Sequence, residues 1–350
     1  MSDYLKDVHP RELRKIPDHY DLAHGVAFKL HDELAKLVVD LESTKSLWVD
    51  FNPSDDQRHQ LEGLEGEDLW AWLESIGRHD VLAEMSYRQV SAAVISDAAH
   101  FIYESLSSCA KGKTAVAFSL LRKPFKENLL LLEWLCGNPE DFIINFNGES
   151  SEDYILNRLP IEKRKKIVAD AIASLDSDWV DLNLVWDVRF DKSNPNSLET
   201  LWTKATHLVT SVKASSTEAG NLNFVFSTES SINDQWDYYY KVVPLFLLYL
   251  LQVAEVVVGR FVEWQENTRG TQLLIRNLAF MRYAEFYQGQ EAIEEMRKEF
   301  KKLKFCCSSC KVDVSCDSAD LDLFWSQSKV RCPSCGHEVS VWDLLDKETE

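Results

Sequence analysis

The chain contains eight cysteines, and four of them form two pairs with a two-residue spacer, Cys307-Ser-Ser-Cys310 and Cys332-Pro-Ser-Cys335. Each pair puts two sulfurs on one tight turn, and the roughly twenty residues between the pairs can form strands that bring the turns together. Four thiolates so placed suit one tetrahedral metal ion. All-sulfur ligation selects zinc most simply, and a shell closed by four protein ligands leaves no open position for catalysis. Gly336, directly after the second pair, supplies the permissive backbone such a turn often needs. Cys307, Cys310, Cys332 and Cys335 are therefore the expected ligands and zinc the expected cofactor. Cys306 would instead make a Cys-x-x-x-Cys with Cys310, Cys316 lies six residues further on, and His337 adjoins the second pair. Because a two-residue spacer mirrors the second pair, Cys307 is preferred, which leaves Cys306, Cys316 and His337 as spectators or supporting groups.

The paired Cys-x-x-Cys, the Cys-Pro-x-Cys-Gly form of the second turn and the strand-like stretch Leu321 to Val330 resemble zinc-ribbon modules. The resemblance covers about residues 304–345. It implies nucleic-acid binding, protein docking or the stapling of a terminus, and the fold does not choose among them.

These residues must be carried by the rest of the chain. At 350 residues, 45% of them apolar and eleven of them Trp, the chain can bury one large core or two moderate ones. The opening MSDYLKDVHPRELRK is charged and shows no secretory signal, so paired cysteines read as metal ligands in a reducing compartment, and a cytoplasmic location is expected. Net charge is −19. Residues 301–350 hold seven Lys/Arg against nine Asp/Glu, contributing −2 and leaving −17 on the body. An acidic body repels phosphate backbones and disfavours nonspecific nucleic-acid binding. The run Lys163-Arg-Lys-Lys166 reads as a solvated helix face.

Apolar spacing predicts a mainly α protein: a multi-helix body over residues 1–300, then a zinc ribbon over 301–350 attached without a flexible linker. Helices are expected from Asp21 to about Leu41, around Leu69–Ile76, from His79 to Ala110, from Thr114 to Leu135 with a break at Pro124, from Pro160 to about Leu175, and from Ser197 to about Val212. The stretch Asn52–Gly66 reads as a loop. Alternation at Val180, Leu182, Leu184, Trp186, Val188 and Phe190 predicts a strand, pairing with one through Leu222, Phe224 and Phe226. The run Val242–Val258, broken only by Gln252 and Glu255, is too short for a membrane span and carries a charge, so a buried central helix is expected. Thr271 opens a last long helix with Ile293, Met296, Phe300 and Leu303 on one face. Cys109 and Cys136 read as small core residues.

No phosphate-binding Gly-rich loop, His-Glu-x-x-His or nucleophile elbow is present. The helical content, with Arg122 and Glu127 on one helix and His207 on a later one, resembles HEPN-like domains of bacterial toxin and defence proteins over about residues 80–265. The resemblance implies an RNA-cleaving effector. Nuclease members of that group carry Arg followed four to six residues on by His. Here Arg122 is followed by Lys-Pro-Phe-Lys-Glu-Asn128, and a match to the spacing, Arg14 to His19, contains Pro17 outside the bundle. No catalytic residue is therefore assigned. The expected function is a cytoplasmic interaction or regulatory protein with a protein partner, offering Phe324, Trp325 and Trp342 as a docking face. A HEPN-like effector comes second, and nucleic-acid recognition by the slightly acidic ribbon third.

Overall fold

The computed structural model describes residues 15–148, 150–175, 180–211, 213–224, 228–263, 276, 280, 283, 304–315, 323 and 329–340. Among these the chain is mainly helical, with two short antiparallel hairpins near the C-terminus. Helix α1 (Asp21–Ser43) follows a 3-10 turn at Asp18–Tyr20, so Asp21 lies inside the first turn and does not cap it. Val26, Leu30, Leu34, Leu37 and Leu41 recur at helical spacing and are all buried. Helix α2 (Asp55–Leu61) corrects the expected loop. Ser54 accepts from the Gln57 amide while the Gln57 side chain accepts from the Ser54 amide, a capping box that outweighs the surrounding Pro, Asp and Gly. With α3 (Gly66–Ser75) it frames a small peripheral lobe whose core is Leu73, Val81 and Leu82 under Phe51, Trp70 and Trp72.

The scaffold of the body is α4 (His79–Ala110), α5 (Thr114–Arg122), α6 (Leu129–Gly137) and α11 (Glu229–Val258). On α4 the small residues Ser91, Ala92, Ala98, Ala99 and Ser105 are buried, which lets α1 and α5 pack closely against it. Helix α11 packs on α1, α4 and α6. By length and composition it could cross a membrane, with an 18-residue window of mean hydropathy 1.9, yet 72% of that window is buried within the protein. Pro244 stands inside α11. Its Trp236 indole donates to the Cys109 carbonyl, and Tyr239 meets Ser105 at 2.7 Å.

Pro124 lacks the N–H that the Leu120 carbonyl would accept in an unbroken α-helix. The chain answers with one π-helical turn, Lys123–Asn128, in which the Leu129 amide donates to the Pro124 carbonyl five residues back. The widened turn leaves the Phe125 carbonyl free to accept from Arg189 Nε at 2.8 Å.

Short helices complete the body: α7 (Pro139–Phe146), α8 (Ile161–Ala173), α9 (Leu182–Arg189) and α10 (Leu198–Thr206). Helix α9 replaces the predicted strand, because Asp181 accepts from the Leu184 amide and caps a helix that buries Val185 and Arg189. Of the expected partner strand, Leu222–Phe224 is irregular and Phe226 lies outside the described residues. Ser197 caps α10 as expected, but α10 stops at Thr206, short of Val212. Helices α6 and α8 approach backbone to backbone at Gly137, where a Cβ would sit 2.7 Å from the Ala171 nitrogen.

The basic run on α8 is not a simple solvated face. Lys163 lies 4.3 Å from the Trp134 ring centroid, Arg164 stacks near Trp186 and Phe190, and Lys165 covers Trp186. Lys166 pairs with Asp170 at 2.6 Å. These cations fasten α8 to the indoles beneath it.

Strands β1 (Lys304–Cys306) and β2 (Asp313–Ser315) form the first C-terminal hairpin, and β3 (Lys329–Arg331) and β4 (Glu338–Ser340) the second. The predicted helix from Thr271, the face Ile293–Leu303 and its rigid attachment to the ribbon lie outside the described residues, apart from helical Arg276, Phe280 and Tyr283.

Candidate metal centre

Each hairpin carries one cysteine pair at its tip, and the two tips are built alike. In the first, the Cys307 amide donates to the Val312 carbonyl and the Lys311 amide donates to the Cys307 carbonyl, both at 2.9 Å. In the second, Cys332 donates to His337 at 2.8 Å and Gly336 donates to Cys332 at 2.9 Å. The residue after each second cysteine takes a left-handed backbone, φ 72° at Gly336 and φ 61° at Lys311. Glycine adopts that conformation without strain, whereas a lysine there costs about 1 kcal/mol.

The four sulfurs of Cys307, Cys310, Cys332 and Cys335 all lie within 4.8 Å of one another. Cys307 and Cys335 are 3.7 Å apart and Cys310 and Cys332 are 3.6 Å apart. A disulfide would need about 2.05 Å. Four metal–sulfur bonds of about 2.3 Å arranged as a tetrahedron put neighbouring sulfurs about 3.8 Å apart, so donor type, number and separation fit a four-thiolate ion site. The backbone amides of Cys310 and Ser309 aim at Cys307 and hold its thiol down to about 6, with the neighbouring thiols adding to the effect. Cys332 is also lowered: burial acts against this, but the Cys335 and Ser334 amides prevail. One sulfur in each turn is thus held below the usual thiol range.

Cys306 is exposed and points its sulfur toward the Cys307 carbonyl, not into the cluster. The His337 ring sits 3.1 Å from the Ser308 hydroxyl, bridging the two turns beside the sulfurs. Cys316, Phe324, Trp325 and Trp342 lie outside the described residues.

In the body, Arg122, Glu127 and His207 are joined by no hydrogen bond or ion pair among the described residues. Arg122 and His207 are exposed, and the Glu127 carboxylate accepts from Asn157 at 3.4 Å. The body instead assembles a charged group whose pairing no local sequence pattern marks. Glu133 and Arg189 are both fully buried and pair at 2.5 Å, and the Tyr249 hydroxyl donates to the same Glu133 oxygen at 2.7 Å. Burial pushes the Glu133 carboxyl up, opposed by the Arg189 charge and by the hydrogen bonds of Arg189 and Tyr249. A lone Glu in the run Leu129–Leu135 was the available signal, since a helix buried all round must give it a partner. A second charged group joins Arg276, which is 2% exposed, to Glu255 at 2.6 Å and to Glu33 at 3.8 Å. Burial raises Glu33 to about 7, against the pull of Lys29 and Arg276. Cys109 and Cys136 are buried, and burial raises both thiols, Cys136 to about 12, as expected of inert core residues.

Comparisons with protein families, with characterised proteins and with solved structures return no match.

Proposed function

We propose that this chain is a helical interaction or regulatory protein whose C-terminal hairpins hold one structural zinc ion. The observation that carries the reading is the four-sulfur cluster itself. Its donors complete a tetrahedral shell from protein alone, so a bound ion has no vacant position for substrate or water and serves to fix two hairpin tips relative to each other. Cys307, Cys310, Cys332 and Cys335 would hold the ion, and Ser308 and His337 would brace the two turns. When bound, zinc supplies structural cross-linking. A reducing compartment such as the cytoplasm keeps such thiols available. That Arg122, Glu127 and His207 share no hydrogen bond or ion pair among the described residues supports this reading over an RNA-cleaving effector.

The test is elemental analysis combined with an RNA-cleavage assay. About one zinc per chain is expected, lost in Cys307→Ser and Cys335→Ser and retained in Cys306→Ser. Single-stranded and structured RNA should survive incubation with the protein. Zinc retained in both single variants would overturn the four-thiolate assignment. RNA cleavage abolished by Arg122→Ala and by His207→Ala, with the fold intact, would replace the interaction reading with the effector.

A further inference from the structure

A cavity of about 500 Å³ opens where the start of α4 faces α7, with Arg260 at its end. From α4 it takes Asp80, Ala83, Glu84 and Tyr87, residues that share one helix face. From α7 it takes Pro139, Glu140, Ile143 and Ile144. Its floor is apolar: Ile143 is 8% exposed, and Tyr87 is buried with its hydroxyl already donating to the Val257 carbonyl at 3.0 Å. Its lip is apolar too, because Ile144 is 74% exposed. Helix burial does not explain an isoleucine left in water beside such a hollow.

The rim charges say what fits. Asp80, Glu84 and Glu140 border the opening. Asp80 pairs with Arg78 and Glu84 with Arg88, but neither guanidinium lines the cavity. Arg78 lies over the Phe51 ring, while Arg88 lies over Phe261 and donates to the Ser46 and Trp48 carbonyls. Glu140 has no ion-pair partner among the described residues. Arg260, the one cation in the lining, is tied to the Cys136 carbonyl at 2.8 Å. The adjoining lobe strengthens the field, since residues 46–85 hold ten Asp/Glu against two Arg, a net of −8. Adding Arg88, Glu140 and Arg260 to that stretch leaves a net of −7, so the field around the apolar hollow is acidic and favours a basic partner.

We infer that this groove docks a basic amphipathic helix of a partner protein, with an aliphatic side chain between the Ile143 floor and the Ile144 lip and Lys or Arg side chains on the Asp80, Glu84 and Glu140 rim. This deepens the interaction reading above and rests on it. The volume accommodates two or three aliphatic side chains, and the α4 and α7 walls give the helix-in-groove arrangement that reads anchors spaced three or four residues apart.

The probe is a fluorescent 18-residue peptide with leucines on one helical face and lysines on the other, titrated by anisotropy into the full-length zinc-loaded protein at about 0.1 M salt. Saturable binding is expected, with none for the counterpart carrying glutamates in place of lysines. Ile144→Glu should weaken binding at least tenfold and Glu140→Lys several-fold, with unchanged melting because both positions are exposed. Equal binding by wild type and both variants would place the peptide elsewhere on the acidic surface and overturn the groove. So would absence of binding, or tight binding of a lysine-only peptide. Retention of a co-purifying protein by Ile144→Glu, with loss on zinc chelation, would sink the groove and leave the interaction reading standing. Cleavage of RNA would sink the reading beneath it.

Discussion

In the helical body, side chains as large as Trp134, Trp202 and Tyr249 are enclosed, and aliphatic packing surrounds the few buried charges. In the cysteine hairpins, the buried side chains among the described residues are Val314, Val330 and Val339 with the cysteines Cys307 and Cys332. Three valines at about 2 kcal/mol each fall far short of the entropy lost in ordering four strands and two turns. The body can stand on its own packing. On the reading proposed above, a bound ion would close the difference in the hairpins.

The largest expected effect breaks the comparison at its weaker side. Chelation, or Cys335→Ser, should remove a binding contribution on the order of 10 kcal/mol from the hairpins and unfold them. The far-UV helical signal and the main melting transition should barely move. Amide protection persisting at Val330 and Val339 without metal would show that the hairpins hold themselves together.

Next come the ionic groups of the body. Arg189→Met leaves Glu133 buried without its cation and should cost about 3–5 kcal/mol in chemical denaturation. Adding Glu133→Leu should recover most of that loss, because an apolar pair of similar volume suits the same space. Equal instability of the single and double variants would show that the pair is not coupled.

Gly137→Ala probes packing without charge. Its Cβ would meet backbone atoms of Asp170 and Ala171 at 2.7 Å, so α6 and α8 must separate, at about 1–3 kcal/mol. A melting temperature equal to wild type would show that α6 and α8 can separate without cost.

The smallest effect is a pH dependence. Glu33 has its carboxyl raised to about 7, above its ordinary value of 4.5. Its folded form therefore holds the proton more tightly than the unfolded chain does. Stability from this group is fully present below about pH 4.5 and is lost as pH rises to about 7. Glu33→Gln should abolish that slope and be the more stable protein at pH 8. A wild-type and variant difference independent of pH would assign the effect to packing.

Regular helices and sulfur spacing were the legible parts of this sequence. The bounds of α4 follow from its small and apolar residues, and Gly336 marks a turn that does take positive φ. Residues 180–190 were misread because Leu182 and Trp186 fit either period, and Asp181 alone decides for a helix by capping it. At Ser54 the capping signal was present but outvoted by Pro53 and its neighbours. The Glu133–Arg189 pair was legible only as a lone Glu in an apolar run, with no sign of its partner. Its partners are 56 residues apart, and only tertiary packing makes them meet. The same holds for the cations of α8, whose indole partners Trp134 and Trp186 lie on other helices.

The π-helical turn at Lys123–Asn128 also sets an angle. A π turn spends one residue more than an α turn on the same revolution, so it acts as a phase insertion of about 100° between α5 and everything after it. Glu133 faces Arg189, and Gly137 faces Ala171, in the phase this insertion sets. Removing Pro124 itself would restore an uninterrupted ladder and still be ruinous. It would rotate the carboxylate off its guanidinium and turn side chains into the place where two backbones now touch.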